Sequence, residues 1–397
     1  MAGAAVPIRA ITSDPGRHWF GYYDKLQFDP TSRYVLGMRV DFEGRQPRPD
    51  DSIAVGVIDL QAGDAWREVG RTRAWCWQQG CMLQWIPGSE RRIIWNDREG
   101  DRFVSRILDV DSGASRTLPA AIYAVAPDGR TAIGTDFRRL ADMRPGYGYA
   151  GVPDPNREVP APEDAGVYTL DLTAHDAEPE LVIPVADVAA LPYPHGDISS
   201  AKHYFNHLLF NTDGSRFIFL HRWRWGDGRR TRMLTAARNG SDLHVVDDYG
   251  RMSHFIWRDR ETILGWSWRP SAEAAFYLHR DQSDEVSVIG PGTMTGDGHC
   301  TYLADTDWIL NDCYPQGGGR MQDLYLFHVP TGRRIDLGSF HAPPEYTGEL
   351  RCDLHPRSDP SGRYVTIDSA HSGGRQIYLL DVGELIKLPV PVDGHRN

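Results

Sequence analysis

The chain has 397 residues and a formal net charge of -11; it is long enough to bury a large core, and its acidic balance excludes a general polyanion-binding surface, so nucleic acid is not an expected partner. No apolar run approaches the roughly twenty residues of a membrane span, and the opening MAGAAVPIRAITSDPG lacks the basic-then-apolar order of a secretory signal, which predicts a soluble, cytoplasmic protein with no membrane partner. Twelve tryptophans and forty glycines among many short apolar runs favour a turn-rich β protein over a helical bundle.

In chain order, one unit returns seven times: a short strand, an Asp/Gly turn and a second short strand. The copies are KLQFDPTSRYVLGMRV from Lys25, MLQWIPGSERRIIWND from Met82, YAVAPDGRTAIGTDF from Tyr123 and HLLFNTDGSRFIFLHRW from His207. HFIWRDRETILGWS follows from His254, HCTYLADTDWILNDCY from His299 and HPRSDPSGRYVTIDSA from His355. Several are followed by a third strand and a polar hairpin, as in VGVIDLQAGD, SRILDVDSGASRTL and DLYLFHVPTGRRIDLG. Each unit has the size of a four-stranded blade, so the expected fold is an all-β, seven-bladed β-propeller forming one domain over residues 1–397. The early segment Ile8 to Ile11 is expected to close the ring by joining the last blade, which removes an exposed sheet edge. Two β-sandwiches would need a central linker; the best candidate, residues 138–165, gives way to a resumed strand pattern at GVYTLDL and reads instead as a long insertion. Within it, Tyr147 and Tyr149 stand between glycines and suit a lid over a site. The five cysteines, Cys76, Cys81, Cys300, Cys313 and Cys352, are odd in number without a CxxC pair, which predicts reduced thiols.

The first strand of a propeller blade lines the central channel, so residues at its start share one face with the end of the second strand. Counting back six from the turn residues Asp213, Asp305, Asp359 and Asp29 gives His207, His299, Asp353 and Tyr23; counting back five from Asp259 and Asp128 gives His254 and Tyr123. The second-strand ends add Arg39, Asn96, Asp97, Asp136, His221, Arg222, Asn311, Asp312 and Asp368. A shared architecture thus gathers imidazoles, carboxylates and guanidinium groups on one rim. A plainer reading stands beside it: an imidazole before the first strand, as in DGHC at His299, can lock a blade by hydrogen bonding alone. Trp257, Trp266 and Trp308 read as inter-blade packing.

In RCDLHPR, Asp353 and His355 are two apart in an extended segment and point the same way. With His254 and His299 they make an N/O set for Mn²⁺, Zn²⁺ or Ca²⁺, the mixed donors favouring a transition metal. The simpler alternative pairs Asp353 with Arg351 or Arg357 and packs His355 against Pro356. In FLHRWRWGDGRR, His221 beside Arg222 and Arg224 suits a general base next to carboxylate-binding groups, or a solvated basic loop.

At blade level the pattern resembles the oligogalacturonate lyase family, propellers related in architecture to TolB-type repeats, through HLLFNTDGSRFIFLHRW, SHFIWRD and DLHPRSDPSGRYVTIDSAHSGGRQIYLLDV. The resemblance implies a manganese ion held by a histidine of an earlier blade and by a glutamine and two histidines of the closing blade. His254 matches the first histidine and His355 the last; Asp353 stands where the other histidine would be, and Glu349 or Leu350 where the glutamine would be. The family's catalytic base corresponds to His221. The segments HWFGYYDK, QQGCMLQW, RPGYGYAG and GELRCDLHPR are also similar to parts of uncharacterised propellers associated with carbohydrate handling, which implies a substrate class and no reaction.

The leading expectation is β-elimination of a uronate-containing oligosaccharide, with a divalent metal such as Mn²⁺ and no organic cofactor. His221 would be the base, Tyr22 or Tyr23 would protonate the leaving oxygen, and His207 would share in catalysis. Arg222 and Arg144 would bind the uronate, with Asp24, Gln79 and Asp312 lining the substrate site. Two alternatives stay open: a glycoside hydrolase using paired carboxylates among Asp24, Asp97, Asp136, Asp312 and Asp368, and a non-catalytic propeller that binds a glycan or protein.

Overall fold

Six of the seven blade turns are closed by an Asp carboxylate, and blade 2 uses the Ser89 hydroxyl, which accepts from the Arg92 N–H at 3.0 Å. The Asp29 carboxylate accepts from the backbone N–H of Arg33 at 2.8 Å and of Tyr34 at 2.6 Å, and Asp259 and Asp359 repeat this with Thr262 and Tyr364, both at 2.7 Å. Such side-chain acceptance closes a tight turn and sends the second strand back beside the first. In the copies around Gly129, Gly214 and Gly362 the glycine has a φ of 67 to 74°, a left-handed conformation that disfavours a Cβ.

The computed structural model describes residues 6–226 and 228–387. They form seven antiparallel sheets of four strands each, and in six of these the strands follow one another in sequence order. The seventh is completed by Ile8–Ala10, which pairs with the strand Gln376–Asp381 in the register Ile8 to Leu380. The architecture is a seven-bladed β-propeller, with the ring closed by the N-terminal strand.

Burial follows position in the blade. The second and third strands are buried on both faces, as in Trp308–Asp312 and Ile53–Asp59, while an outer strand such as Ala65–Thr72 is mostly exposed. Blades pack face to face: Trp19, Trp75, Trp77 and Trp85 are fully buried in the apolar cluster between blades 1 and 2. The Trp257 indole N–H of blade 5 donates to the Leu209 carbonyl of blade 4 at 3.2 Å, an inter-blade contact. All five cysteines are free and buried. No described helix is long and apolar enough to cross a membrane.

Blade 1 departs from the sequence reading. Its innermost strand is Arg17–Trp19, paired with residues 38–40, and the expected strand near Phe28 is reduced to a bridge with Val35. The cause is Asp368 of blade 7, whose carboxylate accepts from the Phe20 and Gly21 N–H groups at 3.1 and 2.9 Å and draws the chain out of the ladder. Gly21, with φ of 102°, lies against the Gln79 backbone, where a Cβ would sit 2.8 Å from a carbonyl carbon. Residues Tyr22 to Lys25 consequently enter the channel.

Residues 138–165 begin in a helix, Phe137–Met143, capped by the Asp136 carboxylate accepting from Arg138 N–H at 2.9 Å. Beyond it, Tyr149 stacks on Phe137 at 4.3 Å and Gly146 packs against Glu349 of the loop before blade 7. The segment thus spans from blade 3 to blade 7 across one end of the channel.

Candidate functional site

Side chains from five blades meet at that end. His207 comes from the first strand of blade 4, His254 and His299 from the turns leading into blades 5 and 6, and Asp353 and His355 from the approach to blade 7. The His254 and His299 rings are 4.3 Å apart, those of His299 and His355 4.2 Å, and Tyr23 lies 5.4 Å from His299. Tyr22 completes the group, 4.8 Å from His207 and 5.4 Å from His355. His207 and His355 both have left-handed backbones, with φ of 57 and 43°. For non-glycine residues this costs on the order of 1 kcal/mol or more and clusters at functional sites. At His207 it coincides with a register shift between Asn206 and Leu209, a bulge that re-aims the imidazole.

Two of the histidines carry carboxylate partners. His254 Nδ1 meets Asp297 at 2.8 Å, and His299 Nδ1 meets both Asp312 oxygens at 3.0 Å, leaving each Nε2 directed elsewhere. This is how metal-binding imidazoles are oriented. His355 Nε2 is buried with no hydrogen-bond partner, and ligand atoms of His299, Asp353 and His355 lie within 4.8 Å of one another. An orphaned imidazole nitrogen beside an imidazole and a carboxylate fits a divalent cation of the Mn²⁺ or Zn²⁺ type. Asp353 also receives a bidentate contact from Arg351, at 3.1 Å from Nε and 3.0 Å from Nη2, so the pairing of the simpler reading coexists with the cluster. Burial pushes the His254, His355 and His207 imidazoles below their ordinary range; it acts the same way on His299, but the carboxylates of Asp312, Asp353 and Asp297 together outweigh it and raise that group.

Beside this cluster stand two arginines without counter-ions. Arg144, from the spanning segment, lies 3.8 Å over the Tyr147 ring, and Arg222 lies in the second half of the blade 4 strand Arg216–Trp225. The Nε atoms of both are shielded from solvent and unpartnered, and neither guanidinium forms an ion pair among the described residues. Burial, then the charge of Arg144, pushes Arg222 down to about 10. Two like charges held together without a carboxylate are a site awaiting an anion.

No protein-family model matches the chain, and no curated protein matches it in sequence. Solved structures do match. Oligogalacturonate lyase from Vibrio parahaemolyticus aligns over 96% of this chain and 95% of its own, with TM-score 0.68 and 14% identity. A structure of oligogalacturonate lyase in complex with manganese aligns over 97% and 95%, with TM-score 0.67 and 13% identity. The chain shares its seven-bladed propeller fold with oligogalacturonate lyase. The likeness is one of fold, and the β-propeller domain of Swd1 from Myceliophteria thermophila also aligns, over 95% of this chain and 100% of its own, with TM-score 0.52 and 12% identity.

Within this fold, the remaining expected residues fall in three places. His221 stands apart: Nδ1 accepts from Arg232 Nε at 3.0 Å and Nε2 faces His203 Nδ1 at 2.8 Å, with no solvent exposure. His203 Nε2 meets the Ile198 carbonyl at 2.9 Å, so the chain of bonds fixes both rings as a buried brace. Asp24, Gln79 and Asp312 lie behind the mouth rather than lining it. Asp24 pairs with Lys25 at 2.9 Å, Gln79 donates to the Tyr123 hydroxyl at 2.7 Å, and Asp312 holds His299 and the His355 N–H. Tyr23 donates to the Phe255 carbonyl at 2.7 Å, which commits its proton. His207 Nε2, 3.2 Å from Tyr23, therefore supplies the hydrogen there, and its Nδ1 is left to accept from the Tyr22 hydroxyl at 3.4 Å.

The five carboxylates weighed for hydrolysis are each engaged: Asp97 with Arg106, Asp136 with Arg138 and Asp368 with Arg357, besides Asp24 and Asp312 as above. Sequence reasoning missed Asp297 and Tyr314, whose hydroxyl is 3.3 Å from His254 Nε2. Asp297 had a signal, since it stands two residues before His299 in GDGHC; Tyr314 lies beyond the second strand of blade 6 and had none.

Proposed function

We propose that this protein is a carbon–oxygen lyase that cleaves uronate-containing oligosaccharides by β-elimination, assisted by a divalent cation. The observation that carries the reading is the counter-ion-free pair Arg144 and Arg222 next to the carboxylate-backed histidines. An anionic sugar beside a polarising centre is what abstraction of a proton α to a carboxylate requires.

His254, His299, Asp353 and His355 would hold the cation, with Asp297 and Asp312 orienting the first two. When bound, a divalent ion there would neutralise the uronate carboxylate as a Lewis acid and so acidify C5–H. Arg144 and Arg222 bind and orient the same carboxylate through bidentate hydrogen bonds. Tyr22, the hydroxyl on the substrate side of His207, takes the C5 proton as its own passes to His207 Nδ1. The reverse transfer then protonates the departing O4, so one pair serves both halves of the elimination. Asp24 stands 3.7 Å from His207 Nε2 and stabilises the imidazolium in between. The segment carrying Tyr147 excludes water from the exchange.

The test is to incubate the purified protein with oligogalacturonates and follow both ultraviolet absorbance and new reducing ends. Absorbance rising in step with reducing ends is expected. Reducing ends without absorbance would mean hydrolysis and sink the lyase reading.

A further inference from the structure

A ledge of aromatic and arginine side chains leads from the mouth across blades 4 and 5. Its inner end is Tyr193, whose ring rests on the buried Trp223 of blade 4 at 4.9 Å. From Tyr193 it passes to His195 at 5.2 Å, on to Tyr249 at 5.6 Å and then to Trp268 at 6.3 Å, where the Arg251 guanidinium lies 5.4 Å over the indole.

Topology places these residues on the face of the mouth. Trp223 pairs with His203 at the start of the first strand of blade 4, and Trp268 lies near the corresponding end of the second strand of blade 5. Tyr249 and Arg251 belong to the connection that runs from His244–Asp247 up to His254 itself. His195 and Arg251 are exposed, while Tyr249 and Trp268 are partly so. In a chain of net charge -11, Arg251 and the neighbouring Arg230 form no ion pair among the described residues. Of the two nearby carboxylates, Asp247 is committed to Arg269 at 3.3 Å and Ser267 at 3.1 Å, while Asp248 forms no ion pair among the described residues and offsets only part of the charge of Arg230, Arg232 and Arg251.

Accessible aromatic rings interleaved with unneutralised guanidinium groups match a chain of anionic sugars: ring C–H faces pack on the aromatics and carboxylates take the arginines. We propose that the ledge is an accessory subsite that binds the uronate units of an oligosaccharide lying beyond the one held by Arg144 and Arg222, so that longer acidic oligomers are preferred. This rests on the uronate reading above. Arg251 is exposed and carries no ion pair among the described residues, so its substitution separates binding from folding.

The experiment compares digalacturonate with hexagalacturonate on the full-length protein and on the Arg251→Ala and Trp268→Ala variants, by initial rate and by calorimetric binding. The wild type is expected to favour the hexamer, and each variant to raise KM for the hexamer by about two- to fivefold, the scale of one exposed contact. The dimer's kcat/KM should stay unchanged. Equal KM values for both oligomers in the wild type, or equal losses for both in the variants, would overturn the ledge and leave the proposed lyase standing. Should no unsaturated product form, hexamer binding weakened by either variant would still support the ledge while the lyase reading falls. No binding of either oligomer would overturn both.

Discussion

His221 and His207 show how little a histidine's sequence position says about its chemistry. Both sit in blade 4, and only His221 leads into an arginine-rich strand end, yet both of its nitrogens are taken by Arg232 and His203. Replacing His221 with Ala leaves Nε of the fully buried Arg232 without its partner, although the other guanidinium nitrogens keep the Pro192 and Val188 carbonyls, and we expect a loss of about 1 to 3 kcal/mol of stability by denaturant unfolding. Turnover per folded molecule should change little. A folded, fully stable His221→Ala protein that had lost activity would restore His221 as the base. His207→Ala should do the opposite, with a near-unchanged melting temperature offset by strain relief and kcat down by about 10² or more. The difference was illegible in sequence because it depends on a bulge and on which neighbour takes which nitrogen.

At the scale of elements, the blades were legible because their Asp turns are local: the accepting carboxylate and the donating N–H groups lie within five residues. The excursion of residues 20–27 was not, since the Asp368 carboxylate that pulls Phe20 and Gly21 out of the ladder is supplied by the last blade. The histidine slots held their register because each is fixed by its own blade's turn, whereas Asp24 and Gln79 were turned behind the mouth by contacts between blades. The segment after the Phe137–Met143 helix offers a direct test. A Cβ on Gly148 would overlap the backbone of Ala141 and Phe137, so Gly148→Ala must displace the loop that carries Arg144 and Tyr147. We expect KM for uronate oligomers to rise severalfold with a small drop in melting temperature; an unchanged KM would mean the segment does not shape the site. Likewise, removing the chain through Ala10 exposes the outer edge of the last blade and should lower the melting temperature by several degrees.

For the whole molecule, buried neutral histidines set the response to acid. Burial pushes His18 and His203 down to about 4 and His279 to about 3. The unfolded chain, with imidazoles near 6.5, binds more protons between these values, so the stability these groups contribute is complete above about pH 6.5 and is lost as pH falls toward 4. At pH 5 the loss reaches at most about 2 kcal/mol per histidine. Asp247, raised to about 6 by burial, acts in the reverse sense and offsets part of it, since its folded form gains a proton as pH falls through that range. Denaturant midpoints at pH 7.5 and 5 should therefore show a clear net loss at pH 5; equal midpoints would contradict the burial of these rings.

We propose that His254, His299, Asp353 and His355 form a metal centre at one end of the propeller channel. Elemental analysis of the protein after dialysis against manganese, beside a His355→Ala variant, tests it most directly. Close to one equivalent of divalent metal per wild-type chain, lost in a variant that still folds, is the predicted result. A wild-type protein that emerges metal-free would contradict it.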